Sequence, residues 1–333
     1  MLSSDFRRRL LCSNSKGEIK GEKKMKRGLL NLFLLLMLAT LSFAQSNSGG
    51  RNVMWEPVNV RSMNLLDGPG GDEMRPDLSK IEFIKEEKAG YNKKYRIKDG
   101  SGHVWVAKLG REARPETAAV RLLWALGYKT EINYLVPEIT IPTKGTFKNV
   151  RLEMRPDDVK RLEGWKWKDN PFIGTKELQG LKMMMILMSN WDAHDIQNKV
   201  IDVGDTNEYI VSDLGATFGK LGNNNLPILF RLGRKTGSPK HYARTKFISK
   251  VQNGKVKLAS KGSKNRKLFT NFSIEEARWL STLMSKLSDR QIGDAFRAAN
   301  YSTADVATYT AAVKRKIAEL QDATAANNLA TSR

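Results

Sequence analysis

The stretch His103-Val-Trp-Val-Ala-Lys-Leu109 predicts a β-strand that carries a lysine near its end, because apolar and β-branched residues follow one another along it. Two shorter stretches with the same character precede it, at residues 80–84 and 95–98. The pair Asp99-Gly100 between the last two is typical of a hairpin turn. These stretches therefore predict three short antiparallel strands, with Lys108 on the third.

A helix is predicted directly after these strands. Pro115 and Glu116 begin a segment whose apolar residues recur with helical spacing until Gly127. Proline in the first turn and glycine after the last turn are typical of helix ends. Further β-rich stretches follow at 134–141 and 149–154, which predicts a sheet of about five strands with one helix.

The second half of the chain is predicted to be mainly helical. Thr175 can cap a helix that leads into the methionine-rich run 183–188, which we interpret as core. Ser273 is followed by Glu276 in a capping-box pattern. Two more helical segments are predicted to begin at Ser288 and Ser302, whereas no elements are predicted between 219 and 270.

The order of these elements predicts an α+β fold in two lobes. We expect a small β-rich N-lobe with one helix at 80–160 and a mainly helical C-lobe at 161–325, followed by a short tail at 326–333. Residues 45–79 are rich in Ser, Gly, Asn and Pro and show no sustained periodicity. We interpret them as a loose leader.

The apolar run at 28–44 predicts a secretory signal peptide, because cations precede it and the small residues Ser42 and Ala44 close it. The run of about 15 apolar residues is shorter than the ~20 that cross a bilayer. A retained anchor in the inner membrane through 28–44 is therefore the alternative to cleavage. Met25 would be a more ordinary start, so residues 1–24 are interpreted as an over-called start site. We expect a periplasmic or secreted bacterial protein.

The composition is that of a basic globular protein. The 333 residues are 40% hydrophobic and 28% charged, which excludes disorder over the whole length, and the net charge is +22. Without residues 1–44, which hold nine basic and three acidic side chains, 48 basic residues face 32 acidic ones, and the net charge is +16. Such a balance favours anionic partners. It does not identify them.

Cysteine and histidine usage limits the metal chemistry. Cys12 is the only cysteine, which excludes an internal disulfide framework and a Cys-rich zinc site. The three histidines, His103, His194 and His241, are far apart in sequence, so zinc ligation by histidine is poorly supported. A metal would have to be held by oxygen ligands, which indicates Mg²⁺ or Mn²⁺.

The densest polar cluster is Asn190-Trp-Asp-Ala-His-Asp-Ile-Gln-Asn198, and a strand ending in Ser212-Asp-Leu-Gly215 follows it. Two acidic loops at the ends of a predicted hairpin, facing a sheet that carries Lys108, suit phosphoryl transfer. Asp213 and Asn198 would hold a divalent ion, and Lys108 would clamp the phosphates of a nucleotide. Asp192 would orient a hydroxyl for in-line attack.

These motifs resemble those of the protein-kinase-like superfamily. Val104-Trp-Val-Ala-Lys108 looks like the strand that carries the nucleotide-clamping lysine. Asn190–Asn198 is similar to the catalytic loop of the atypical branch that includes phosphoinositide lipid kinases and HipA-like bacterial kinases. Ser212-Asp-Leu-Gly215 resembles the metal-binding Asp-Phe-Gly segment of these enzymes.

The resemblance implies a two-lobed kinase-like fold over roughly residues 80–220 and a role for each matching residue. Asp192 would be the catalytic carboxylate, Asn198 and Asp213 the metal ligands, and Lys108 the clamp on ATP. Glu116 would be the ion-pair partner of Lys108.

The sequence departs from the family pattern at three places. Asp192 and Asn198 are six residues apart instead of the usual five, so Gln197 is the alternative metal ligand. The predicted helix begins only eight residues after Lys108, and Glu112 competes with Glu116 for the lysine. Residues 85–94 contain one glycine and four lysines where kinases carry a glycine-rich loop.

From these features we expect an exported kinase-like phosphotransferase that uses ATP and Mg²⁺ or Mn²⁺ to modify a hydroxyl on a protein, lipid or glycan. The alternatives are an inactive kinase-fold module that binds an anionic envelope component, and a nucleotidyl transferase on the same fold. The basic stretch 231–267 is either a solvated face or a surface for an acidic substrate or an anionic membrane. No nucleic-acid partner is expected, because no basic–aromatic motif is recognisable.

Aromatic and histidine side chains near the expected site are predicted to pack or to orient their neighbours. Trp165, Trp167 and Phe172 are expected to pack under the hinge between the lobes. His194 is expected to orient or pack against its neighbours instead of binding metal.

Overall fold

The computed structural model describes residues 50–88, 92–156, 159–221, 234–259 and 266–325. All of them belong to the compact unit Gly49–Arg333. The predicted signal peptide at 28–44, the start at Met25 and the tail at 326–333 lie outside the described residues. Within the described ranges, no helix is both long and apolar enough to cross a bilayer.

A five-stranded antiparallel sheet forms the first half of the fold. In spatial order its strands are β2 (Glu82–Glu87), β3 (Lys94–Lys98), β4 (Val104–Lys108), β6 (Gly145–Met154) and β5 (Asn133–Ile141). One face of the sheet is packed by a buried cluster that includes Trp105, whose indole N–H donates to Asp99 at 2.9 Å. The strand number matches the prediction, since alternation of apolar residues is a local signal.

A single helix, α1 (Ala113–Ala125), connects β4 to β5. Eleven of its 13 residues are buried, so it lies inside the fold instead of on its surface. Gly127 ends the helix region with φ +93°, and a Cβ there would lie 2.2 Å from the carbonyl oxygen of Glu56. Only glycine fits this position, which fixes where the chain leaves the helix.

A second, four-stranded sheet follows the first lobe. It contains β1 (Arg51–Val53), β9 (Thr206–Val211), β8 (Asn198–Asp202) and β7 (Lys160–Arg161), in that spatial order. Strands β8 and β9 form the hairpin predicted from the sequence, with Asn198 opposite Val211. The loops that carry Asp192 and Asp213 therefore emerge at the same end of this hairpin.

The expectation of a loose leader at 45–79 is corrected for its described part. Strand β1 pairs in parallel with β9, and Met54, Val60 and Leu65 belong to the main hydrophobic core. The side-chain amide of Gln291 donates to the carbonyl oxygen of Val60 at 2.8 Å. The apolar residues of this segment are too irregularly spaced to show a period, so only tertiary packing reveals their burial.

The rest of the chain is mainly helical, and its core is continuous with α1. The helices are α2 (Lys176–Leu187), α3 (Pro239–Tyr242), α4 (Ile274–Met284), α5 (Asp289–Arg297) and α6 (Thr303–Ala325). Thr175 caps α2, and Ser273 and Ser288 form capping boxes at α4 and α5. The methionine-rich run of α2 is buried in the main core, as the sequence predicts.

Short strands occupy the region for which the sequence predicts no elements. Strands β10 (Lys220–Leu221) and β11 (Arg234–Lys235) form one antiparallel pair. Strands β12 (Ile248–Gln252), β13 (Lys255–Leu258) and β14 (Asn271–Ser273) form a three-stranded sheet. These strands are short and rich in lysine, so their hydrophobic pattern is weak. The architecture as a whole is α+β, with the layout expected of a two-lobed kinase-like fold.

Replacing Met54 by alanine should destabilise the protein by about 2–5 kcal/mol, because it leaves a cavity in the main core. Leu66→Ala is the matched control in the same segment, since Leu66 is 43% exposed and its loss should change stability by less than about 0.5 kcal/mol. Urea unfolding of both variants measures the difference. Equal midpoints would mean that the segment does not contribute to the core.

Candidate active site

The side chain of Lys108 is the centre of the candidate site. It lies at the end of β4 and is only 2% exposed. Its Nζ lies 2.9 Å from Oε2 of Glu116 and 2.9 Å from Oδ1 of Asp213. Three separate elements therefore converge on one ammonium group: the third strand of the sheet, helix α1 and the loop after β9.

Local sequence explains how these groups come together. Glu116 lies in the first turn of α1, which places its side chain directly above the end of β4. Glu112 is the N-cap residue of the same helix, and its Oε2 lies 3.5 Å from Lys108 Nζ. A Cβ on Gly215 would lie 2.6 Å from Cβ of Glu112, so glycine allows the loop after β9 to approach the helix.

The ionisation of this group follows from burial and charge pairing. Burial alone would lower the pKa of Lys108, but Glu116 and Asp213 outweigh it and raise that pKa. Burial raises the pKa of Glu116, while Arg151 and Lys108 oppose the rise. For Asp213, Lys108 overcomes the effect of burial and lowers the pKa of the carboxyl. Lys108 and Asp213 are therefore charged at neutral pH.

A second set of buried charges lies next to Lys108, and the sequence analysis did not find it. Arg151, which faces Lys108 across the β4–β6 ladder, places its Nε 3.3 Å from Glu116 Oε2 and its Nη2 2.6 Å from Glu153 Oε2. Arg161 bridges Glu131 at 2.7 Å and Glu153 at 2.8 Å. The signal in the sequence was weak: Arg151 and Glu153 stand on one face of a strand whose other face is apolar.

This cluster connects the five-stranded sheet to the β8–β9 hairpin. The hydroxyl of Ser212, the residue before Asp213, donates to Glu131 Oε1 at 2.7 Å. Burial and the neighbouring Glu153 raise the pKa of Glu131, although Arg161 and Arg151 oppose them. For Glu153, the two arginines overcome burial and lower the pKa. The two carboxyls share Arg161 and therefore ionise as a coupled pair.

Asp192 lies in the loop before β8 and is held by its neighbours. Its Oδ2 accepts from the side-chain amide of Gln197 at 2.9 Å, and its Oδ1 lies 3.2 Å from Nε2 of His194. Burial raises the pKa of Asp192, with His194 and Gln197 opposing and Asp213 reinforcing the rise. The two aspartates are therefore close enough for their charges to repel each other.

Backbone hydrogen bonds fix the two loops side by side. The N–H of Ser212 donates to the carbonyl oxygen of Gln197 at 2.8 Å, and the N–H of Trp191 donates to that of Ala216 at 3.3 Å. Asp192 and Asp213 thus belong to one site. Lys108 is connected to this site by its ion pair with Asp213.

The side chains of Gln197 and Asn198, the two alternative metal ligands, have different surroundings. The Asn198 side chain is fully buried, and its Nδ2 donates to the carbonyl oxygen of Trp165 at 3.1 Å. Asn198 Oδ1 is buried and has no hydrogen-bond partner among the described residues, so it is available as a ligand atom. Gln197, the last residue of a short 3-10 turn before β8, lies against Asp192. Its amide nitrogen donates to Asp192, which leaves Oε1 as its ligand atom. Asn198 and Gln197 therefore both stay candidate partners of Asp213.

Other residues of this loop have structural roles. Asp195 accepts from the backbone N–H of Trp167 at 2.9 Å, so it stabilises the turn and is not placed to act as a base. Trp165 and Trp167 pack edge to face with ring centroids 4.8 Å apart, and Phe172 packs against the same core.

The donor set suits a hard cation that is shared with a phosphate. Asp213 offers a carboxylate and Gln197 an amide oxygen, which are ligands that Mg²⁺ and Mn²⁺ accept. In the described part of the chain, no group of three His, Cys, Asp or Glu side chains could hold a metal by itself. The residues therefore fit a metal that takes its remaining ligands from a bound nucleotide and from water.

One further residue reaches this site from outside the predicted motifs. The guanidinium of Arg234, on β11, lies 4.3 Å from the centroid of the Trp191 ring. It also contributes to lowering the pKa of Asp192, against the effect of burial. In the sequence Arg234 is only one residue of the basic stretch 231–267, because no local pattern connects it to residue 191.

Comparison with known proteins finds likeness in structure but none in sequence. No family model matches the chain, and no curated protein matches it. Among solved structures, the fold is similar to the crystal structure of a proinflammatory kinase, CtkA, of Helicobacter pylori. The TM-score is 0.47 at 9% identity, over 76% of this chain and 98% of that one. This likeness is one of overall layout.

Asp213→Asn should lower the free energy of unfolding at neutral pH by roughly 1–2 kcal/mol, because it weakens a charged hydrogen bond to Lys108. The lowered pKa of Asp213 means that this contribution is present above the unfolded-state pKa and is lost as pH falls through the folded-state pKa. The difference from wild type should therefore shrink below about pH 4. Denaturant unfolding between pH 3 and 7 measures it.

The exposed turn residue Asp205 supplies the control for this experiment, as Asp205→Asn makes the same chemical change outside the site. A pH-independent difference for Asp213→Asn would contradict the assigned ion pair.

Proposed function

We propose that this chain is a kinase-like phosphotransferase that moves a phosphoryl group from ATP to a hydroxyl. The observation that carries the proposal is the buried ammonium of Lys108, held between Glu116 on α1 and Asp213 on the loop after β9. In this arrangement a fixed cation lies beside the carboxylate that would bind the metal. Phosphoryl transfer requires both groups, because its catalysis is mainly positioning and charge stabilisation.

The nucleotide phosphates would be bound by Lys108, which Glu116 and Glu112 orient. Asp213, together with Asn198 or Gln197, would hold Mg²⁺ or Mn²⁺. When bound, such an ion supplies charge neutralisation on the phosphate oxygens. The lysine must exchange part of its contact with Asp213 for the phosphates.

Asp192 would accept a hydrogen bond from the acceptor hydroxyl and take its proton as the new bond to phosphorus forms. Gln197 and His194 fix the carboxylate in two directions, so it needs little reorganisation when substrate binds. Its raised pKa strengthens it as a base. The predicted signal peptide would place this activity in the periplasm or outside the cell.

Wild-type protein should be stabilised by ATP together with Mg²⁺, by about 2.7 kcal/mol at a ligand concentration one hundred times the dissociation constant. Lys108→Met and Asp213→Asn should abolish the shift, and Asp192→Asn should keep it while phosphoryl transfer falls by at least about a hundredfold. Differential scanning fluorimetry and ³²P transfer measure the two effects. Asp205→Asn is the control and should match wild type.

Two results would contradict the proposal. If ATP and Mg²⁺ fail to stabilise wild type, the chain is better described as an inactive kinase-fold binding module. If the chain is a nucleotidyl transferase instead, the acceptor will be labelled by ATP that carries ³²P in the α-phosphate and not by ATP that carries it in the γ-phosphate.

The rate of transfer should depend on pH through Asp192. Since its pKa is raised, activity should fall on acidification at a pH above the ordinary aspartate value of about 3.9. His194 opposes this rise, so His194→Gln should move the acid limb of the kcat/KM profile to higher pH. The control is His103→Gln, because His103 lies beside Asp99 in the sheet. An unmoved acid limb in His194→Gln would contradict the assigned base.

A further inference from the structure

The charge of this chain is concentrated in one segment. From Leu214 to Ile274 the sequence contains fourteen lysines and arginines and not one aspartate or glutamate. The segment begins immediately after Asp213, a ligand of the proposed metal. A long one-sign stretch creates a positive potential over the surface that it forms, and this attracts anions.

Hydrogen bonds hold residues 236–238 of this segment against the loop that carries Asp213. The hydroxyl of Thr236 donates to the carbonyl oxygens of Gly215 and of Thr217, the latter at 3.0 Å. The N–H of Gly237 donates to the carbonyl oxygen of Thr217 at 3.0 Å, and that of Ser238 to Phe218 at 2.8 Å. Strand β11 is thus fixed relative to the loop that carries Asp213.

Arg234, at the start of β11, is the basic residue of the segment that the structure places beside Asp192. Its guanidinium lies over the ring of Trp191, the residue next to Asp192 in the chain. A guanidinium carries five N–H donors in its plane, so it can contact an aromatic ring and other groups and still bind a carboxylate. Arg234 is half-buried, so an anion bound there would be partly shielded from water.

The rest of the segment indicates which kind of anion it meets. Eight of its described cations are exposed: Lys220, Lys235, Lys240, Arg244, Lys246, Lys250, Lys255 and Lys267. Of its described large apolar residues only Val251 is exposed. The segment therefore offers almost no apolar side chain that could insert into a bilayer. Its described Phe and Tyr residues, Phe218, Tyr242, Phe247, Phe269 and Phe272, are all buried. They offer no stacking surface for nucleotide bases.

Strand β12 adds a feature that suits an extended polypeptide. It lies at the edge of the β12–β13–β14 sheet, and four of its five residues are exposed. An edge strand presents unpaired backbone groups, to which an extended chain can add as a further strand. Lys250 on this strand would attract acidic side chains and repel basic ones.

We propose that the acceptor is an acidic polypeptide segment in which a carboxylate lies close to the hydroxyl that is modified. Arg234 binds that carboxylate and thereby determines specificity, while the exposed lysines of the segment attract the rest of the peptide. The transfer step rests on the proposed function. Binding of the peptide does not, and it can be measured in the absence of nucleotide.

The test uses the full chain and two fluorescein-labelled twelve-residue peptides, each with one central serine. Glutamate flanks the serine in the first peptide and glutamine flanks it in the second. Wild type should bind the glutamate peptide at least about tenfold more tightly in fluorescence anisotropy, and the difference should decrease with salt. If transfer occurs, the ratio of kcat/KM values should show the same preference.

Arg234→Gln should remove most of this preference, and Arg234→Lys should retain part of it, since lysine keeps the charge but not the planar fork. The matched control is Arg290→Gln, because Arg290 is 89% exposed on α5 and pairs there with Asp294. This control should bind both peptides like wild type. If Arg234→Gln does not fold, as judged by its thermal unfolding, the comparison rests on Arg234→Lys.

Several outcomes would overturn the inference. These are equal binding of the two peptides by wild type, an unchanged preference in Arg234→Gln, or tight binding to phosphatidylglycerol vesicles without any peptide preference. The ATP–Mg²⁺ stabilisation separates the two proposals. If the protein prefers the glutamate peptide but ATP and Mg²⁺ do not stabilise it, the phosphotransferase proposal is overturned and the acidic partner is kept. If it transfers phosphate but binds both peptides equally, the acidic partner is overturned and the phosphotransferase proposal is kept.

Discussion

The buried ammonium of Lys108 is the interaction on which the geometry of this protein depends. A charge in such a position requires carboxylates, since an unpaired buried ion costs several kcal/mol. Glu116 and Asp213 meet that need from two elements that are far apart in sequence, α1 and the loop after β9. The strand, the helix and the loop are therefore fixed together around one nitrogen atom, and the candidate site is formed where they meet.

A chain of further ion pairs extends this constraint through the interior. Arg151 links Glu116 to Glu153, and Arg161 links Glu153 to Glu131, which accepts from the residue preceding Asp213. Buried ion pairs add little net stability compared with well-packed apolar residues, but removing one partner is strongly destabilising. We interpret the cluster as a device for register: it fixes the sheet, the segment after β6 and the β8–β9 hairpin in one arrangement.

Charges of opposite sign lie close together at this site. Asp213 helps to raise the pKa of Asp192, while the segment 214–274 that follows Asp213 contains no acidic residue. A basic segment of this length attracts anions at long range. This attraction is the basis for proposing an acidic acceptor.

The sequence by itself determined the features that local patterns encode. Alternation of apolar residues gave the sheet and its lysine, and capping residues such as Ser273 gave the helix starts. The tertiary structure alone decided the rest. Met54 is core only because residues distant in sequence cover it. Gln197 contacts Asp192, whereas Asn198 is buried against Trp165. Arg234 contacts Trp191 although 43 positions separate them in the chain. Side-chain contacts between distant segments leave no periodic trace in a single sequence, so spacing could identify the candidates but not choose among them.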